Sequence, residues 1–314
     1  MQDSTTQTNN STGEPSLSQR KANPIASIAW MLLYAAIFLV TQVITHIALS
    51  VISTLFATFS AISTNLISLE NAAEVTDFAQ SAAANSLASN QPWSILVSSV
   101  LSVFFCWLIV RKRGFDAKIF AGFTPTSPSM AFIALVLGIG FSMTFNALVN
   151  MPGLEFLQDH ETYLAQQHLL GSIWIALAAS TAGPIAEEIV FRGFALTELR
   201  RGFTLLPSVL IGSVIFGVLH GPAVGWMLMA ISFGILFALI ALRTRSIYPA
   251  ITAHIGVNSA SFVFIWGAPT QLSTFYLILI LGAAILGVSA ALMLRQSSPI
   301  SKMEPAPNPQ VKEN

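Results

Sequence analysis

Eight apolar segments, each near the length of a membrane-crossing helix, account for most of this chain. A helix needs about 20 predominantly apolar residues to cross the hydrocarbon core of a bilayer. The first segment runs from Ile25 to the low fifties, and the next three are Trp93 to Val110, Met130 to Val149, and Ser172 to about Ala195. The last four are Leu205 to His220, Val224 to Leu242, Ile247 to Trp266 and Leu272 to Leu294. The fifth is the shortest. This pattern predicts an all-α integral membrane protein of about eight transmembrane helices. Charge content supports it: 9% of residues are charged, against about 25% in soluble domains.

The placement of charge says more than its sum, which is zero. Bulk charge therefore gives no reason to expect a nucleic-acid partner; the expected partner is the lipid bilayer. Lys and Arg in short loops mark the cytoplasmic side. Arg20 and Lys21 precede the first segment; Arg111, Lys112, Arg113 and Lys118 follow the second; Arg200 and Arg201 follow the fourth. Arg243 and Arg245 follow the sixth, and Arg295 and Lys302 the eighth. With eight spans all of these fall on one side. The opposite loops hold Glu70, Glu74, Asp77, Glu155, Asp159 and Glu161. Both termini are thus expected in the cytoplasm of a multi-pass protein of the cell membrane, a bacterial inner membrane. Residues 1–23 and 297–314 read as disordered tails around a membrane domain, 24–296. The long acidic loop from Ala61 to Gln91 reads as partly helical. One cysteine, Cys106, lies in an apolar run and reads as packing, since a free Cys behaves as a small hydrophobe.

Five polar residues stand in or beside these segments: Glu187, Glu188, His220, His254 and Asn258. Ionisable groups at membrane depth are costly, and those retained usually face a cavity and carry chemistry or ions. The fourth segment reads Thr181-Ala-Gly-Pro-Ile-Ala-Glu-Glu-Ile-Val-Phe-Arg-Gly. Pro184, with no N–H to donate, should kink or restart the helix. Glu187 and Glu188 are then expected in the first turn beyond the break, where a helix N-terminus favours anions. Glu188 and Arg192 are four apart with Glu first, the favourable order for an ion pair on one face. That pairing leaves Glu187 pointing about 100° away, without a local partner and suited to act as a general base.

His254 and Asn258 are also four apart and share a face. His220 closes the fifth segment as Phe216-Gly-Val-Leu-His220. Neutral His can orient a water, accept a proton or ligate a metal, and an Asn amide can donate to a developing oxyanion. Together these parts suit hydrolysis by an activated water. A shared site requires Glu187, His220 and His254 to lie within about 12 Å of one another. Counted at 1.5 Å per residue, His254 sits roughly 10 Å from the cytoplasmic side and His220 deeper.

The motifs Glu187-Glu188-x-x-x-Arg192, Phe216-x-x-x-His220 and His254-x-x-x-Asn258, in this order on separate helices, resemble the CAAX-protease and bacteriocin-processing family of intramembrane endopeptidases. The resemblance covers residues 172–266. It implies a polar intramembrane cavity among segments four, five and seven, and endoproteolysis of a membrane-associated or lipidated protein or peptide. Glu187, Glu188, His220, His254 and Asn258 would be its catalytic residues, with Arg192 structural. It leaves the cofactor open: none, or Zn2+ held by His220, His254 and Glu187 as two His and one carboxylate. The His-Glu-x-x-His motif of the usual zinc peptidases is absent, which favours the metal-free form. Two other readings remain: an ion-coupled transporter, since carboxylates on broken helices suit transport, and a non-catalytic immunity or scaffold protein.

Overall fold

The computed structural model describes residues 22–149, 173–221, 223–266 and 272–296. The two predicted tails lie outside these residues, apart from Ala22 and Asn23, and so do Glu155, Asp159 and Glu161. All regular structure among the described residues is helical. The helices are α1 (Pro24–Ser63), α2 (Ala72–Ser89), α3 (Gln91–Lys112), α4 (Ala117–Phe120) and α5 (Pro128–Val149). They continue as α6 (Ile173–Gly202), α7 (Leu205–Val218), α8 (Val224–Thr244), α9 (Ile247–Trp266) and α10 (Leu272–Gln296). Six of the described helices are long and apolar enough to cross a membrane, while α7, with 14 residues, is shorter. The chain is a multi-pass membrane protein, and the count of eight spans holds only approximately.

Local signals set the ends. Asn23 Oδ1 accepts from the Ile25 N–H at 2.9 Å and Pro24 opens α1, a preferred pairing at a helix start. Asp116 caps α4 by accepting from the N–H groups of Lys118 and Ile119. Arg245 ends α8 in the left-handed conformation, φ 53°. Gly221, at φ +117°, turns the chain after α7 through backbone angles that side chains disfavour. One expectation shifts. The first span extends to Ser63 rather than the low fifties, because no charged residue, Gly or Pro interrupts the run that continues through Phe59. Most of the loop from Ala61 to Gln91 is α2, which packs on α1.

Two cores form. One joins α1, α3, α4, α6 and α7 around Tyr34, Val110, Phe120, Phe194 and Phe216. The other joins α5, α8, α9 and α10 around Leu137, Phe237 and Val257. In the second core, glycines bring backbones together. A Cβ at Gly138 would strike the Ala253 carbonyl, and one at Gly256 the Leu135 carbonyl. Small residues serve such close approach because lipid offers little hydrophobic drive between helices.

The cationic ends of α3, α6 and α8 meet at one end of the bundle. Arg113, just past α3, contacts Glu198 Oε2 at 2.9 Å, and Arg201 contacts Glu198 Oε1 at 3.1 Å. Arg113 also donates to Tyr34 Oη at 2.9 Å and lies 3.9 Å over the Trp30 ring. Glu198 is 1% exposed. Arg243 donates to the Leu294 carbonyl, joining α8 to α10 at the same end. Cys106 is buried and unbridged, as packing requires.

Candidate active site

α6 carries the two glutamates and is not one regular helix. It breaks at Thr181, whose backbone leaves the helical region (φ −125°, ψ −68°) and whose hydroxyl donates to the Leu177 carbonyl at 2.6 Å. A new α-helical piece, Ala182–Glu187, starts there with Pro184 in its first turn, as its missing N–H allows. Glu188–Ala195 is then π-helical, and Leu196–Gly202 returns to α. The expectation that Glu187 and Glu188 lie in the first turn beyond the break is corrected. Glu187 closes the Ala182–Glu187 piece and so lies beyond its first turn, out of reach of the N-terminal N–H groups. The π stretch has no signature in residue spacing; such bulges often mark functional positions.

Arg192 Nη1 stands 3.0 Å from Glu188 Oε1, so the expected ion pair forms even through the π turn. Both residues are buried, at 5% and 0% exposure. Arg192 also donates to the Gly234 carbonyl at 3.3 Å and lies 4.2 Å over the Phe216 ring, a cation–π contact that helps hold a desolvated guanidinium. Glu188 has a second partner that local spacing could not reveal. His254 Nδ1 lies 2.9 Å from the same Oε1. A carboxylate paired with Arg accepts, so His254 donates from Nδ1, and in the neutral ring its Nε2 is the acceptor. The His254 ring stacks on Phe237, with centroids 4.5 Å apart.

His220 is fixed similarly. Its Nδ1 lies 2.7 Å from the Phe216 carbonyl, which can only accept, so Nδ1 carries the proton and Nε2 the lone pair. Glu187 Oε2 faces both imidazoles, 3.9 Å from His220 Nε2 and 3.8 Å from His254 Nε2. These distances exceed a hydrogen bond, and Oε2 has no hydrogen-bond partner among the described residues. The three residues therefore meet well within the separation that a shared site requires. The depth difference between His220 and His254 disappears because α7 is short and ends beside the midpoint of α6.

Asn258 lines the same cavity, but its Nδ2 donates to the Ala179 carbonyl at 2.9 Å, just before the break in α6. One of its two N–H groups is thus committed to backbone. The cavity measures about 340 Å³ and is lined by Glu187, His220, His254 and Asn258 with Phe216 and Trp226, among others. Its other wall comes from α1 and α3, through Phe38, Leu39, Gln42, Gln91, Ile95 and Ser99. None of these six stands out in the sequence. Phe38, Leu39 and Ile95 look like ordinary membrane residues, and the rest like isolated polar ones.

Residues 169–260 match the family described as Type II CAAX prenyl endopeptidase Rce1-like. That segment is similar to this family. It holds all three motifs, from Glu187 to Asn258. Over 83 residues the chain is also 35% identical to "Putative membrane peptidase YdiL" of Bacillus subtilis (strain 168), an overlap of 26% of this chain. The match spans about a third of that relative's length, 34%. No solved structure matches the chain. The family segment contributes α6, α7, α8 and most of α9, whereas α1, α3 and α5 lie outside it.

Could the site hold zinc? The donor set, two imidazole nitrogens and a carboxylate, has suitable chemistry. Ligands at about 2.0–2.2 Å from one tetrahedral ion stand about 3.3–3.5 Å from each other. The pairs here stand 3.8 and 3.9 Å apart. Among the described residues no group of three or more His, Cys, Asp or Glu side chains is arranged to hold a metal ion.

Proposed function

We propose that the protein is an intramembrane endopeptidase that hydrolyses a peptide bond in a membrane-associated or lipidated protein or peptide, with Glu187 as the base that activates water. One observation carries this reading. In the tautomers set by Glu188 and the Phe216 carbonyl, three acceptor atoms converge with no donor among them: Glu187 Oε2, His220 Nε2 and His254 Nε2. Such a cluster is one proton short. A proton taken from water would be shared between the carboxylate and an imidazole, turning a repulsive contact into an attractive one. That is what a general base needs in a site of low dielectric.

The other residues take supporting parts. Glu187 removes a proton from a water on the cavity side while the oxygen attacks the peptide carbonyl carbon. The carbonyl π electrons move to oxygen, and the remaining Asn258 N–H is the donor at hand for that charge. Collapse of the intermediate breaks the C–N bond, and the proton held by the Glu187–imidazole pair passes to the leaving amine. Glu188 keeps His254 in the tautomer that faces Glu187, and Arg192 holds the Glu188 carboxylate in place.

No step here requires a metal, and the wide spacing of the three ligand candidates favours that form. The test is cleavage of a panel of lipidated and membrane-anchored peptides by the purified protein, with and without chelator. Glu187-dependent, chelator-insensitive cleavage is the expected result. Inhibition by chelator that zinc reverses would overturn the metal-free mechanism. Retention of full cleavage by Glu187→Gln would overturn the role of Glu187. Flux of an ion-coupled solute without cleavage would favour a transporter.

A further inference from the structure

The site is closed towards one end of the bundle and extended towards the other. Below Glu187, towards the cationic end, the first core is solid: Tyr34, Val110, Phe194 and Leu199 are 0% exposed, and Phe120 is 2%. α4 is pressed into this floor, since a Cβ on Gly193 would lie 3.1 Å from Ala121. Beneath it the Arg113–Glu198–Arg201 cluster, with Tyr34, ties α1, α3 and α6 together. The Ala22 N–H donates to the Arg201 carbonyl at 3.1 Å, which brings the start of α1 to the same place.

The cavity runs the other way. Gln91 opens α3, while Ile175 and Trp226 lie in the first turns of α6 and α8, all at the end opposite the cations. On α9, Asn258 and Ser261 line it further from the cationic end than His254 does, by about 6 and 10 Å at 1.5 Å per residue. The loop and helix at this end carry Glu70, Glu74 and Asp77.

We infer that substrate reaches Glu187 from the end opposite the cationic one, which the positive-inside rule makes extracytoplasmic. The peptide cleaved is then an extracytoplasmic stretch of a membrane-anchored or translocated protein, and not a cytoplasmic tail. This rests on the hydrolytic reading for the word substrate, but the direction of access stands on the shape of the cavity.

The experiment uses the full-length protein with its single thiol removed, Cys106→Ser, and one cysteine returned at a time. Ser99→Cys and Ser261→Cys report on two walls of the cavity, and Lys118→Cys on the cationic end. A membrane-impermeant sulfonated maleimide is applied to vesicles of each orientation. Both cavity cysteines should react only from the side on which Lys118→Cys does not. Reaction from the same side as Lys118→Cys, or with lipid-soluble maleimide alone, would overturn the proposal. The same labelling is repeated with Glu187→Gln. Because labelling needs no turnover, a correct pattern without any cleavage would sink the hydrolytic reading and leave the access route standing.

Discussion

Glu187 and Glu188 are neighbours in the chain with opposite surroundings, and their substitutions should behave differently. Glu187 Oε2 has no hydrogen-bond partner to lose among the described residues. Glu187→Gln should leave the thermal unfolding midpoint nearly unchanged while lowering kcat by about 10²–10⁴, the range for removing a general base. Glu188 holds both Arg192 and His254. Glu188→Gln strands a buried guanidinium, and breaking a buried pair in this way costs about 3–5 kcal/mol. The double variant Glu188→Gln with Arg192→Met should recover much of that stability. It should remain far less active, because a glutamine amide can turn either its oxygen or its NH2 to His254 Nδ1 and so no longer fixes the tautomer. Recovery of cleavage together with stability would refute an orienting role for Glu188. Spacing alone made the Glu188–Arg192 pair legible, since both residues are on one helix. The Glu188–His254 contact joins positions 66 residues apart, and nothing local could reveal it. The same holds for the contact of Glu198 with Arg113, 85 residues away, although its other partner, Arg201, is three residues on.

The elements that matter most are α6 and the α7–α8 pair. α6 changes from α to π and back across the motif, so the orientation of Glu187 relative to Arg192 depends on one wide turn. Deleting Val190 should restore an ordinary α register downstream and rotate the Arg192 side by about 100°. Helix content by circular dichroism should persist while cleavage is lost; unchanged activity would show that the π turn is dispensable. Gly217 faces Met227 and Ile231, and a Cβ there would lie 2.8 Å from the Met227 carbonyl. Gly217→Leu should therefore force α7 from α8 and lower stability by about 1–3 kcal/mol, the cost of overpacking, seen as a lower unfolding midpoint in detergent. The sequence correctly marks Pro184 as a point of restart, because a missing N–H is a local property. The first turn was misplaced because the break falls at Thr181, three residues earlier, where a side-chain bond to Leu177 takes up the backbone.

At the scale of the molecule, one buried carboxylate is held between cations at the cationic end. Arg113→Ala would leave Glu198, 1% exposed, with Arg201 alone, and would also free Tyr34 and Trp30. This should loosen α1 from α6, measurable as faster proteolysis near residue 113 at unchanged helix content. A rate equal to the wild type would mean that the apolar floor alone holds that end. Membrane class, the approximate number of spans and the choice of Glu187, Glu188, Arg192, His220, His254 and Asn258 as candidate site residues follow from the sequence by itself. Apolar run length and i,i+4 spacing are local, and the bilayer penalises every charge that has no purpose. Only the tertiary structure decides how those residues meet. The wall from α1 and α3, the tautomer of each histidine and the direction in which the cavity runs all depend on which helices pack together. That packing is set by shape, through glycines and short helices, and hydropathy does not encode it.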